Sequence, residues 1–228
     1  MDIVKSTLQA VLARIAWAAE LSGRAAREVT LLAVSKTYTA AAVRALAAEG
    51  QEAFGESYVQ EALDKITALA DLDLCWHFIG PIQRNKTAQI ATHFDWVHSV
   101  DRLLIAQRLS AARPATCAPL NVCLQVNISG EISKSGISPE NLADLAAQVQ
   151  GLPRLQLRGL MAIPQASAEV LVQRAQFAAL RQCLDDLNAQ GAGFDTLSMG
   201  MSGDLEAAIA EGATIVRVGS ALFGARRG

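Results

Sequence analysis

The sequence predicts an α/β fold: a single (β/α)8 TIM barrel with an extra N-terminal helix, spanning residues 1–228 as one domain. Three observations lead there. Short β-rich runs alternate with helical patterns along the whole chain, which is how a parallel sheet with helical crossovers is built. The runs number eight, enough to close the sheet on itself. The length of 228 residues lies near the lower size of such barrels, typically about 250 residues. An open doubly wound sheet is the alternative, but the Gly-x-Gly-x-x-Gly turn that would favour it is missing after the first strand.

Each element has its own signal. Val4, Leu8, Val11, Leu12, Ile15 and Ala19 recur at helical spacing and predict an opening helix outside the barrel. Leu31-Leu32-Ala33-Val34-Ser35-Lys36 reads as a buried first strand, with a helix over 40–49. Residues 52–55 make a short second strand, with a helix over 58–69. Trp76-His77-Phe78-Ile79-Gly80 is the third strand, with a helix over 83–92. Phe94-Asp95-Trp96-Val97-His98 is the fourth, with a helix over 103–111. Residues 120–127 form the fifth strand, and Leu142, Leu145, Ala146 and Val149 give the next helix its apolar stripe. The sixth strand lies within 155–163, and Phe177, Leu180, Leu184 and Leu187 mark a long amphipathic helix. Residues 194–199 form the seventh strand. Leu205, Ala208 and Ile209 mark a short helix, and 214–219 form the eighth strand.

Composition narrows the function. Hydrophobic residues make up 51% and charged residues 18%, so the chain can bury a large core and is not intrinsically disordered. Twenty basic residues against 22 acidic ones leave a net charge of −2. That balance supplies no global basic field for nucleic acid or an anionic membrane. Aromatic residues, at 5%, are too sparse for a base-stacking surface. Cys75, Cys117, Cys123 and Cys183 form no Cys-x-x-Cys pair, and three scattered histidines make no metal-binding pattern. Four reduced thiols in or near the core are expected. Charged residues interrupt the N-terminal apolar stretch, so it does not read as a signal peptide. No run approaches the ~18 apolar residues of a membrane span. The sequence reads as that of a cytoplasmic protein.

Barrel enzymes and binding proteins place their sites at the C-terminal ends of the strands. Lys36 closes the first strand there. Partial desolvation at the barrel mouth would disfavour its ammonium and free an amine able to form a Schiff base with an aldehyde. A surface lysine at a strand end is the plainer reading. Ser198-Met199-Gly200-Met201-Ser202-Gly203-Asp204 follows the seventh strand, and Gly219-Ser220-Ala221-Leu222-Phe223-Gly224 the eighth. Loops at these two places are the usual phosphate cradle of the fold, since glycines let backbone N–H groups approach an anion and helix starts add positive potential. Ordinary glycine turns are the alternative. Arg217, inside the last strand, is costly to bury without a partner: a salt bridge or a ligand nitrogen would serve. Lysine, cradle and arginine together fit one ligand, pyridoxal 5'-phosphate: aldehyde to Lys36, phosphate to the loops, ring nitrogen to Arg217. Arginine does not protonate that nitrogen, so the ring would be a weak electron sink.

Motifs in order along nearly the whole chain carry a family resemblance. They are Ala33-Val34-Ser35-Lys36-Thr37, Phe54-Gly55-Glu56-Ser57-Tyr58-Val59-Gln60-Glu61, and the run from Trp76 through Gly80 and Pro81 to Lys86. Val126-Asn127 with Lys134-Ser135-Gly136 follows, then Gly159-Leu160-Met161-Ala162-Ile163-Pro164 and Leu197-Ser198-Met199-Gly200-Met201-Ser202. Arg217-Val218-Gly219 with Phe223-Gly224 closes the set. The chain resembles the pyridoxal phosphate homeostasis proteins, single-domain relatives of the alanine racemase barrel. The resemblance implies a cofactor tethered as a Schiff base to Lys36, its phosphate held by Ser202, Gly203, Gly219 and Ser220, and its ring nitrogen facing Arg217. It implies a protein that buffers and delivers pyridoxal 5'-phosphate, with apo-enzymes that use the cofactor as recipients and no robust turnover of its own. Ser57 stands where the family usually has Asn, and Tyr38 where it commonly has a charged residue.

Other residues have plain readings beside functional ones. His77 reads as a buried, hydrogen-bonded histidine rather than an acid or base. Asn85 and Lys86 read as an exposed helix start, Met161 as packing on the ring or core, and Arg226 and Arg227 as a basic tail. Lys134 is either a second, transient aldehyde acceptor or a solvated loop lysine. No large exposed apolar stripe is identifiable, so a monomer is expected. Two other functions stay open on the residues alone. One is a slow pyridoxal phosphate-dependent amino-acid racemase using Lys36 as base. The other is an aldolase-like barrel whose lysine binds a phosphorylated sugar without a cofactor.

Overall fold

Eight parallel strands close into a barrel in chain order, each hydrogen-bonded to the next and the last to the first. The computed structural model describes residues 2–131 and 135–224. The strands are β1 (Thr30–Val34), β2 (Ala53–Glu56), β3 (Cys75–Phe78), β4 (Trp96–Val100), β5 (Leu120–Gln125), β6 (Leu155–Met161), β7 (Thr196–Met201) and β8 (Ile215–Val218). The helices are α1 (Asp2–Leu21), α2 (Ala40–Ala47), α3 (Val59–Ala68), α4 (Thr87–His93), α5 (Leu103–Ala112), α6 (Leu142–Gln150), α7 (Val170–Ala189), α8 (Leu205–Ala210) and α9 (Ser220–Phe223). The barrel and its added N-terminal helix agree with the expected fold.

The apolar spacing explains the packing. Phe54, Phe78, Phe94 and Phe177 are among the largest fully buried side chains, and Leu46, Ile90, Ile105 and Leu109 bring helix faces into the same core. In α1 the buried face is Leu8, Val11, Ile15, Ala18 and Ala19, which lies against α8 and α9. Burying each large aliphatic side chain contributes about 1.5–3 kcal/mol before entropy is counted. The added helix is therefore part of the fold's core and covers the segments that follow β7 and β8.

Two strand boundaries differ from expectation, both at a phenylalanine. The fourth strand begins at Trp96, because the Phe94 amide still closes α4 by donating to the Ile90 carbonyl. The seventh begins at Thr196, because Asn188 bonds both backbone groups of Phe194 and holds it in the connection. Ser198, Met199 and Gly200 consequently lie inside β7, not in the loop after it. The helix expected over 83–92 opens with a 3-10 turn, Arg84–Lys86, before α4. Within the loop expected over 219–224, Ser220–Phe223 form the short helix α9. All four cysteines are free thiols. Among the described residues, no helix is long and apolar enough to cross a membrane, and no cluster of metal-ligating side chains occurs.

Candidate functional site

Lys36, Ser202, Gly203, Arg217, Gly219 and Ser220 line one cavity of about 280 Å³ at the C-terminal ends of the strands. Val34, Ser57, Ile79, Ile163 and Met201 complete its wall. Residues separated by most of the chain meet there because β8 pairs with β1, so the end of the barrel is placed beside its start.

Lys36 sits in the turn two residues beyond the end of β1 rather than in the strand itself. The turn is fixed from behind. Lys65 of α3, buried against the outside of the barrel wall, donates to the Ser35 carbonyl at 2.7 Å, to Glu56 Oε1 at 2.7 Å and to Glu61 Oε1 at 2.6 Å. The Ser35 hydroxyl donates to the same Glu56 oxygen at 2.6 Å, and the Thr37 amide donates to Glu61 Oε1. Both neighbours of Lys36 are thus tied to one buried ion cluster. Thr37 is also held at φ 69°, a conformation a β-branched residue rarely adopts. Such a residue persists only where its surroundings enforce it, and it occurs here beside the candidate nucleophile. Burial pushes the Glu56 carboxyl up, while Lys65 and Ser35 pull it back. Lys65 is not among the residues expected at the site. Its signal was available: an i, i+4 pair with Glu61 on a helix whose other buried positions are apolar.

The loop after β7 depends on Gly200. Its φ is 88°, and a Cβ there would lie 2.5 Å from the Cβ of Ala208, so only glycine lets α8 come this close behind Ser202 and Gly203. Neither α8 nor α9 is capped by a side chain at its start. Asp204, which might have capped α8, turns back to accept from the Met201 amide. First-turn amides of a helix have no intrahelical partner, so both starts leave donors for another acceptor. Arg14 of α1 braces this loop. It donates to the Ser202 carbonyl at 3.0 Å while forming a two-pronged pair with Glu206 at 2.7 and 2.9 Å. Thr7 of α1 donates to the Leu222 carbonyl in α9 at 3.1 Å.

Arg217 is 4% exposed. Its Nη1 donates to the Ser198 carbonyl at 2.6 Å and the Ser198 hydroxyl at 2.8 Å, and its Nη2 to the Ala162 carbonyl at 2.9 Å. No carboxylate forms a salt bridge with it among the described residues, so the ordinary explanation for an arginine in a strand is not the one found. Burial draws its pKa down to about 10. The charge of nearby Asp204 works the other way, without a direct salt bridge. A buried cation hydrogen-bonded only to neutral oxygens and facing a cavity favours an anionic or acceptor ligand.

Ser57, which departs from the Asn usual in the resembled family, belongs to the wall. The loop carrying it approaches so closely that a Cβ on Gly80 would lie 2.3 Å from the Ser57 carbonyl oxygen. Ser57 also borders an adjoining cavity of about 240 Å³ lined by Tyr58, Gln83 and Lys86. His77 lies within β3, buried and bonded to His98, as expected of a core histidine. Met161 is buried. Asn85 is exposed, as expected for a helix start, and Tyr38 bonds the Gly224 carbonyl and stacks on Phe223. Lys134, Arg226 and Arg227 lie outside the described residues.

Comparison with known proteins fixes the class first. The family of the alanine racemase N-terminal domain matches residues 7–227, and this barrel with its one lysine- and arginine-lined mouth is a domain of that kind. Within it the chain belongs to the pyridoxal phosphate homeostasis protein family. A protein of that name from Pseudomonas aeruginosa is 63% identical over 226 residues, covering 99% of this chain and 97% of its own. PipY from Synechococcus elongatus PCC7942, solved with PLP bound, is 41% identical with a TM-score of 0.81, covering 92% of this chain and 100% of PipY. An alanine racemase from Corynebacterium glutamicum shares the fold at 17% identity and a TM-score of 0.66, over 94% of this chain and 60% of the racemase.

Proposed function

We propose that this protein binds pyridoxal 5'-phosphate, holds it as a Schiff base on Lys36, and acts as a cytoplasmic reservoir that releases it to apo-enzymes. One observation carries the reading: an amine, two uncapped helix starts and a buried guanidinium converge on a single cavity. The donor set fits the group. Ser202, Gly203, Gly219 and Ser220 bind the phosphate through hydroxyls and amides, with Arg14 steadying the Ser202 backbone. Arg217 donates to the ring nitrogen. Lys36 supplies the nucleophilic amine, oriented by the ion cluster that grips Ser35 and Thr37. The cofactor supplies an electrophilic aldehyde that binds amines reversibly. A reversible covalent link suits storage and handover. The relatives' printed name and the PLP-bound PipY structure support the same assignment.

The test is a visible spectrum of the purified protein mixed with pyridoxal 5'-phosphate, followed by borohydride reduction, intact mass and peptide mapping. The expected result is one reduced adduct on the peptide containing Lys36, absent in Lys36→Ala. Saturating, specific labelling of a different lysine in the wild-type protein would overturn the assignment.

A further inference from the structure

Behind Arg217 a chain of buried polar groups crosses the barrel interior. The Ser198 hydroxyl of β7 lies 2.7 Å from His98 Nδ1 in β4. His98 Nε2 lies 2.9 Å from His77 Nδ1 in β3. His77 Nε2 lies 3.3 Å from the Cys75 sulfur at the start of β3. His98 and Ser198 are fully buried, and His77 is 3% exposed. The indole of Trp96 stacks on the His77 ring, with centroids 5.4 Å apart and planes 4° apart, and fixes the plane of that imidazole.

We infer that His77 and His98 form a one-directional hydrogen-bond chain whose role is to position Ser198 and, through it, Arg217. The direction follows from counting protons. A guanidinium only donates, so Arg217 Nη1 donates to the Ser198 oxygen. If His98 also donated to that oxygen, the Ser198 hydroxyl proton would be left buried without an acceptor, which is costly. The hydroxyl therefore donates to His98 Nδ1. His98 then carries its proton on Nε2 and donates to His77 Nδ1, and His77 donates from Nε2 to the Cys75 sulfur. Every ring atom is satisfied with both imidazoles neutral. Burial keeps them so, holding His77 down to about 3 and His98 well below the ordinary range.

The consequence lies at Arg217. Its two Nη1 bonds both end on Ser198 and its Nη2 bond on Ala162, which uses three of its N–H donors. The remaining donors, on Nε and Nη2, are the ones left for a ligand. Their direction depends on where Ser198 stands, and Ser198 stands where His98 accepts from it. Neither His98 nor His77 is among the residues lining the cavity, so they are positioning residues. This inference rests on the proposed binding of a pyridine ring at Arg217, and its first test is independent of that reading.

The first measurement is long-range 1H–15N NMR of the ligand-free protein at neutral pH. Both histidines are expected as neutral Nε2–H tautomers, with the Arg217 guanidinium protons resolved and slow to exchange. In Ser198→Ala the Arg217 protons should exchange at least about tenfold faster. An Nδ1–H tautomer or a charged ring at either histidine would overturn the chain's direction. Unchanged Arg217 exchange in Ser198→Ala would overturn its role. The second measurement compares affinity for pyridoxal 5'-phosphate with that for its carbocyclic analogue, in which CH replaces the ring nitrogen. The preference for the nitrogen-bearing ring should fall about tenfold in Ser198→Ala and His98→Leu. It should be largely kept in His98→Asn, whose amide oxygen can still accept from Ser198. An equal preference in wild type and Ser198→Ala refutes the positioning role. Failure of the wild type to bind either ligand refutes the functional reading and leaves the NMR result to decide the chain.

Discussion

Lys65 donates to the carbonyl oxygen of Ser35, so the residue preceding Lys36 is gripped by an ammonium on the far side of the barrel wall. All three donors of that ammonium are engaged, by Ser35, Glu56 and Glu61. The turn that carries Lys36 to the cavity is thereby braced by a second lysine that is not among the residues lining it.

Removing Lys65 should therefore cost stability and ligand affinity together. Lys65→Met leaves Glu56, which is fully buried, without its cation. The expected loss is about 3–5 kcal/mol in urea unfolding. Adding Glu56→Gln should recover part of it, because the stranded charge is then gone. A loss below about 1 kcal/mol for the single variant would mean the cluster is not the clamp described.

Arg14 should act on the phosphate and not on the aldehyde. Its pair with Glu206 is about one-third exposed, so Arg14→Ala should cost at most about 1 kcal/mol of stability. The Ser202 loop loses its brace, however. Dissociation constants for pyridoxal 5'-phosphate and for pyridoxal should be compared. The phosphate ester should lose affinity several-fold and pyridoxal should change little.

Gly200→Ala should be the costly glycine substitution of this site. The added methyl meets Ala208 at 2.5 Å, and the backbone is left-handed there. The expected destabilisation is about 1–3 kcal/mol, read from thermal or urea unfolding. Weaker phosphate binding should accompany it, since α8 must shift to make room. Gly203→Ala, with open space around its Cβ, should leave stability within about 0.5 kcal/mol.

Acid should weaken the fold through His77. Folded, its pKa is held down to about 3; unfolded, it returns to about 6.5. Between those values the unfolded chain binds the extra proton. Stability is therefore complete above about pH 6.5 and declines as pH falls toward 3, by up to about 1.4 kcal/mol per pH unit for this residue. Urea unfolding at several pH values should show a shallower decline for His77→Asn. An identical slope in the two proteins would contradict the burial assigned to the ring.

Much of this could be read before any coordinates. Hydrophobic periodicity and the order of elements gave the barrel, because each strand and helix announces its own buried face. Lys36, Arg217 and the two glycine-bearing loops stood out from their places on the strands, while the choice of Ser202, Gly203, Gly219 and Ser220 within those loops came from the family resemblance; all six meet around one cavity. What escaped reading is tertiary in kind. Phe94 and Phe194 looked like strand residues because the apolar pattern records burial and not hydrogen bonding. Lys65 looked like an ordinary helical lysine, since its partners Ser35 and Glu56 belong to other elements. The same holds for His98, whose contact with Ser198 spans 100 positions. The sequence showed which residues are chemically able; their supports depend on which strands become neighbours.

Helix α1 carries a consequence for the order of folding. Thr7 reaches the Leu222 carbonyl across 215 positions and Arg14 the Ser202 carbonyl across 188. Contacts so distant in sequence form only after the intervening chain has been brought together, at a late and entropically costly stage. In pulsed hydrogen exchange during refolding, the segments after β7 and β8 should therefore gain protection later than the strands they follow.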